Sequence, residues 1–359
     1  MYNTAVIHED CGRICADLGN SLDAFSGTKV LITGAQGFLC SYIVDTLAYR
    51  NLTASQPCHI FALDNMVTGR SSRLSHLEDR SDITFVNHNL LSSLPSELAA
   101  DWIIHGASIA SPPLYRKFPL ETIDANVSGT RTVLEHARWE GTKGVLLLSS
   151  SEVYGDPDPS HIPTSEEYRG SVSPFGPRAC YDESKRMGET LGYVYSNYFE
   201  VPITIIRPFN VFGPGQRLDD GRIIPDIMTA SLQKKAIKLL SDGTATRSFC
   251  YVSDFVEGLL TLLLNERTRG QIYNLGNDEI EISIRDLAQR MCVVAKNVYG
   301  KPAITVETVK SDDNDYTTDN PRRRCPDLGK VKEAIGYQPK INLDEGLHRT
   351  LLSHLENFR

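Results

Sequence analysis

Long apolar runs are missing from this 359-residue chain: no segment comes near the roughly 18 consecutive apolar residues of a membrane-spanning helix. The first twenty residues, MYNTAVIHEDCGRICADLGN, carry acidic side chains and no signal-type apolar stretch, so a cytoplasmic protein without membrane contact is expected. Paired C-x-x-C spacing is missing too. The eight cysteines are scattered (Cys11, Cys15, Cys40, Cys58, Cys180, Cys250, Cys292 and Cys325), which points to reduced thiols and to no metal site. There is no excess of basic charge: Lys plus Arg number 37 against 45 Asp plus Glu, a net −8, which disfavours nucleic acid as a partner. Repeats and low-complexity tracts are absent. With 41% hydrophobic and 23% charged residues, the composition is that of an ordinary globular protein.

What is present is a rhythm. KVLIT, HIFALD, ITFV, DWIIHGA and KGVLLLSS are short apolar runs separated by helical segments, such as the periodic stretch from Phe38 to Tyr49. Strands buried on both faces and alternating with helices predict a Rossmann-like, doubly wound parallel α/β sheet. Leu120, Ile123, Val127, Thr130, Leu134 and Ala137 recur at steps of three and four, giving one helix an apolar stripe, and a second helix is expected over 179–199. Residues 1–27 read as an N-terminal extension and 28–206 as the nucleotide-binding domain, rejoined by about 250–273. A smaller, discontinuous α/β domain is expected from 207–249 and 274–359.

VLITGAQGFLC sets Gly34 and Gly37 between a strand and a helix, where backbone N–H groups and the helix N-terminus meet a pyrophosphate. Asp64 follows 27 residues after Gly37, placed to accept hydrogen bonds from ribose hydroxyls and to repel a 2′-phosphate, which favours NAD over NADP. Cys40 occupies the place of the usual third glycine. Asn89, Ala107 and Ser108 sit at later strand ends on the same rim. Tyr181 and Lys185, four apart, share a helix face, where the ammonium is expected to lower the phenol pKa toward a usable base. Ser149, Ser150, Ser151 and Glu152 emerge at a carboxyl strand end, supplying hydroxyls and a carboxylate for alcohol oxidation.

Together TGAQGF, Tyr181-x-x-x-Lys185 and SSEVYGDP resemble the extended short-chain dehydrogenase/reductase family acting on nucleotide sugars, over about residues 28–350. ASPPLY, GPRACYDESKR, DDGRIIP, TRSFCYVSD and PRRRCPDL are most similar to its UDP-glucuronic acid decarboxylases, also called UDP-xylose synthases. That resemblance implies redox-neutral chemistry: Tyr181 takes the C4 hydroxyl proton while hydride passes to NAD, the β-keto acid loses CO2, and re-reduction at C4 yields UDP-xylose. It also implies that Ser150 holds the C4 oxygen, that Glu152 is the acid/base near C5 and that Arg247 lies near the sugar carboxylate. By the same resemblance Phe38, Leu39, Asn65 and Leu90 contact the cofactor. Pro112, Tyr115, Asn210, Arg222 and, of the triple arginine, Arg323 contact the substrate. A homodimer through a four-helix bundle of the Leu120 and Tyr181 helices is implied as well.

Ser151 stands where related 4,6-dehydratases carry an acidic Asp, and 4-epimerases need no carboxylate at the Glu152 position, so decarboxylation fits both clues. Leu114 replaces a His common after ASPP, Ser184 a common Gly, and Cys325 interrupts the usual RRRPD. A dehydratase or 4-epimerase of another nucleotide hexose or heptose, and a noncatalytic NAD-binding regulatory protein, are the competing readings.

Overall fold

The computed structural model describes residues 4–69, 71–300, 304–310 and 321–355; the outermost residues of the N-terminal extension and of the second expected domain lie outside them. Helix α1 (Thr4–Leu18) leads into β1 (Lys29–Thr33), α2 (Phe38–Asn51), β2 (His59–Asp64), β3 (Ile83–Asn87) and β4 (Trp102–His105). Then come α3 (Pro112–Lys117), α4 (Pro119–Asp124), α5 (Thr130–Glu140), β5 (Gly144–Leu148), α6 (Ala179–Phe199) and β6 (Ile203–Pro208). The remainder is β7 (Val211–Phe212), α7 (Ile223–Leu232), β8 (Ile237–Leu239), β9 (Thr246–Ser248), β10 (Cys250–Tyr251), α8 (Val252–Leu264), β11 (Gln271–Leu275), β12 (Glu281–Ser283), α9 (Ile284–Tyr299), β13 (Val306–Thr308), β14 (Arg323–Arg324), α10 (Gly329–Ile335) and α11 (Leu343–Leu355).

Seven parallel strands form one sheet in the order β11-β6-β5-β4-β1-β2-β3. Every residue of β4 and β5 is buried, as helices on both faces require. The order reverses between β1 and β4, and the crevice outside their carboxyl ends is where open α/β sheets take ligands. After β6, the short sheets β10-β7, β12-β9-β14 and β13-β8 assemble, before and after β11 returns to the main sheet.

The apolar stripe read from the sequence is split. A π turn over Ala125–Gly129 separates α4 from α5, leaving Thr130, Leu134 and Ala137 buried under the sheet while Leu120 and Ile123 face solvent. Ser184 explains part of this join, since its hydroxyl accepts from Asn126 Nδ2 at 2.8 Å in that turn and donates to the Cys180 carbonyl at 2.5 Å.

The N-terminal extension, the part of the chain least readable from the sequence, is an integral helix. Ile7, Cys11, Ile14 and Leu18 of α1 recur on one face and are buried. Asp10 on the same helix is wholly buried, accepting from Tyr42 (2.5 Å), Tyr251 (2.7 Å) and Arg349 (2.8 Å), so one carboxylate ties α1 to α2, β10 and α11. Burial still raises its pKa, against those lowering contacts. Among the described residues no helix is long and apolar enough to cross a membrane.

Candidate active site

Gly34 adopts φ +70°, and a Cβ there would lie 2.8 Å from the Ala107 backbone, so the first turn after β1 admits only glycine without strain. Gly37 caps α2 in an extended conformation, setting Phe38 and Leu39 in the first helical turn. Gly34, Gly37, Asp64, Asn65, Asn89, Leu90, Ala107 and Ser108 all line one cleft. Asp64 accepts from the Gln36 and Met66 N–H groups at 3.0 and 2.8 Å; burial raises its pKa against those bonds. Asn65 and Asn89 each accept from the backbone two residues on, shaping the rim. The buried Ser108 Oγ and Gln36 Oε1 have no hydrogen-bond partner among the described residues. A glycine cradle at a helix N-terminus, a buried carboxylate and unpaired polar atoms in the walls fit a dinucleotide.

Cys40 at the third glycine position is accommodated from the opposite side. A Cβ on Gly106 would lie 2.3 Å from the Cys40 Sγ, so the missing side chain at 106 makes room for the thiol, whose pKa burial pushes up to about 12. Gly106→Ala is therefore expected to cost about 1–3 kcal/mol by overpacking and to weaken NAD binding, and adding Cys40→Gly is expected to restore most of both. Urea unfolding and NAD titration check this; equal losses in the single and double variants would contradict it.

At the end of β5, Ser150 accepts from the Glu152 N–H at 3.2 Å and hydrogen-bonds Tyr181 of α6. Ser151 is buried beside it, and Ser149 donates to Glu189 at 2.6 Å. Burial pushes Tyr181 up to about 12, against the pull of the Ser150 bond and of the Arg222 charge. The expectation that Lys185 lowers this phenol is not met here: its Nζ lies 5.8 Å from the Tyr181 ring centroid and donates to the Leu148 carbonyl at 2.9 Å, and burial takes it down to about 8. Tyr115 of α3, the helix that Pro112 opens, stacks on Tyr181 at 5.2 Å between centroids. Arg222, at the N-cap of α7, donates to the Ala110 carbonyl at 2.6 Å, and Asn210 donates to the Ser248 carbonyl at 3.0 Å.

Glu152 is the hub. Arg324 grips it with two bonds of 2.6 and 2.5 Å and Arg178 adds a third at 2.5 Å; together they overcome burial and hold its carboxyl down at about 2. Arg247, buried on β9 with backbone carbonyls of Thr246 and Pro321 at 2.7 and 2.6 Å, is pushed down to about 9 by burial and by Arg324 and Arg178. The Arg323 expectation is corrected here. Successive residues of a strand point to opposite faces: Arg323 turns outward to pair with Glu281 at 2.9 and 2.7 Å, and Arg324, in register with Arg247, turns inward. Arg178, one turn before Tyr181 in GPRACYDE, escaped the sequence reading, and within the triple arginine 322–324 the choice fell on Arg323 and not on Arg324; nothing in one sequence tells an arginine that enters a site from its neighbours.

Comparison with known proteins decides the family. Residues 30–276 match the NAD dependent epimerase/dehydratase family. The chain belongs to it. Among the relatives of this family member is "UDP-glucuronic acid decarboxylase 6" of Arabidopsis thaliana, 38% identical over 92% of this chain and 90% of its own. Another is "UDP-glucuronic acid decarboxylase 1" of Danio rerio, 37% identical over 90% of this chain and 72% of its own. Among solved structures of the family, a UDP-glucuronic acid 4-epimerase from Bacillus cereus, with UDP-glucuronic acid and NAD, superposes with a TM-score of 0.76 at 25% identity, covering 92% of this chain and all of that one. A dTDP-glucose 4,6-dehydratase from Streptomyces venezuelae, with NAD bound, gives 0.77 at 26% identity over 92% and 97%. The doubly wound fold and the use of NAD are thus properties of this family member.

Proposed function

We propose that the protein is an NAD-dependent nucleotide-sugar decarboxylase that converts UDP-glucuronic acid to UDP-xylose. The observation that carries this is the Glu152 carboxylate, ringed by Arg178, Arg247 and Arg324 beside Ser150 and Tyr181. Three guanidiniums on one glutamate leave positive charge that a sugar carboxylate neutralises, and the depression of Arg247 to about 9 is relieved by such an anion. Bound NAD supplies reversible two-electron oxidation at C4. Tyr181 and Ser150 would hold the proton at the C4 oxygen, the arginines the C6 carboxylate until the C5–C6 bond breaks, and Glu152, ionised in the free protein, would steer to C5 a proton taken from solvent. Ser151 lacks the acid that loss of a C6 hydroxyl calls for. The relatives' names support the same substrate.

Residues 28–206 with the returning β11 would hold NAD, and the segments around Asn210, Arg222, Arg247 and β14 the nucleotide sugar. Protein loaded with NAD and given UDP-glucuronic acid is expected to release CO2 and form UDP-xylose, followed by mass and NMR. A retained carboxylate with inverted C4 would indicate an epimerase instead. No turnover with any nucleotide hexose or heptose, NAD remaining bound, would leave a regulatory protein.

A cytoplasmic homodimer completes the proposal. Leu120 of α4 and Tyr198 of α6 are 71% and 72% exposed, and Ile123 and Met187 are exposed beside them on the same two helices, an apolar face suited to a second copy. Leu120→Glu with Tyr198→Arg is expected to convert a dimer to a monomer by light scattering at micromolar protein; a monomer before substitution would reject the dimer.

A further inference from the structure

Asp182, directly after Tyr181 in the first turn of α6, is buried and takes no part in the chemistry above. The groups facing it are Glu152 after β5, Arg324 on β14, Tyr115 on α3, and Arg178 and Tyr181 on its own helix. Arg178 serves two carboxylates unequally: it bonds Glu152 at 2.5 Å and leaves Asp182 at 3.6 Å. The Asp182 Oδ1, the Arg178 Nε and the Tyr115 hydroxyl are all buried without a hydrogen-bond partner among the described residues. Two neighbouring buried carboxylates are pushed apart in proton affinity. Glu152, holding both arginines, falls to about 2, while burial and the Glu152 charge push Asp182 up to about 7.

We propose that Asp182 is the proton-holding positioning residue of this site, taking a proton from solvent when a sugar carboxylate enters the arginine cluster and so leaving the Arg178 charge to Glu152 and the substrate. The sign follows from two effects that agree: an incoming carboxylate adds negative charge beside Asp182, and its sugar excludes water, and each favours the neutral acid. An uncarboxylated sugar adds no such charge. The inference rests on the uronic acid reading of the substrate.

The test is calorimetry at pH 7 in two buffers of different ionisation enthalpy, with NAD-loaded Tyr181→Phe protein, which is expected to bind without turnover. UDP-glucuronic acid should bind with uptake of about 0.4 proton per site, the value for a group near pH 7 raised by about one pKa unit, and UDP-glucose with much less. Adding Asp182→Asn should abolish the difference and Asp182→Glu should retain it. Equal uptake in the Asn variant, or equal uptake with the two sugars, overturns the role of Asp182. Binding of UDP-glucose with no binding of UDP-glucuronic acid would be recognised separately and overturns the substrate reading together with it. Should the Asn variant not bind UDP-glucose, infrared spectra of the 13C-aspartate-labelled protein decide: a protonated carboxyl band must grow on adding UDP-glucuronic acid, and its absence overturns the proposal.

Discussion

Tyr181→Phe is expected to lower turnover by about 10²–10⁴-fold, the range that a positioned acid–base group contributes, with NAD and nucleotide-sugar binding nearly unchanged. The substitution removes only the hydroxyl; the stacking of the ring on Tyr115 at 5.2 Å survives. The free protein holds this phenol at about 12, so as a base it depends on whatever lowers it during reaction. Its present pull comes from Ser150 and Arg222, and Ser150→Ala should therefore lower turnover and move the rising limb of the pH profile upward. The Lys185 ammonium, taken down to about 8, loses its proton as pH rises through that value, so a falling alkaline limb near pH 8 is expected and should vanish in Lys185→Met. Turnover within tenfold of the parent in Tyr181→Phe would remove the tyrosine from the chemistry.

The sheet strands and the catalytic helix were legible because each carries a period: β1 (Lys29–Thr33), β2 (His59–Asp64) and α6 (Ala179–Phe199) occupy the predicted spans. The cofactor cleft was legible because glycine at a strand–helix turn is a backbone requirement that survives in the letters. What was not legible depends on which way a side chain turns in three dimensions. Arg323 and Arg324 are identical letters on a two-residue strand, and only its pairing with β9 decides which one enters the site. Likewise α1 has no motif; its buried face becomes meaningful only when Tyr42, Tyr251 and Arg349 converge on Asp10 from distant segments. The compensation of Cys40 by Gly106 joins α2 to the turn after β4, so the departure at the third glycine looked isolated in the sequence.

That inward turn of Arg324 makes the second large effect specific. Arg324→Ala is expected to cost up to about 3–5 kcal/mol, the range for removing one partner of a buried ion pair, and to abolish most turnover. Two features pull the stability cost toward the low end: Arg178 still bonds Glu152 at 2.5 Å, and removal of Arg324 relieves the repulsion that helps depress Arg247. Arg323→Ala removes a pair whose arginine side chain is 42% exposed, for which about 0–1 kcal/mol is the ordinary scale. The acid side separates the two variants further. Because Glu152 is held at about 2 against a usual 4.5, its contribution to stability is present above about 4.5 and is lost as pH falls toward 2. In Arg324→Ala the native carboxyl rises toward its unfolded value, so that pH-dependent contribution shrinks and the difference from the parent protein narrows on acidification. In Arg323→Ala the Glu152 dependence stays in place. Urea unfolding at pH 7 and pH 3 reads both, and a larger loss for Arg323→Ala than for Arg324→Ala would show that the inward residue had been misidentified.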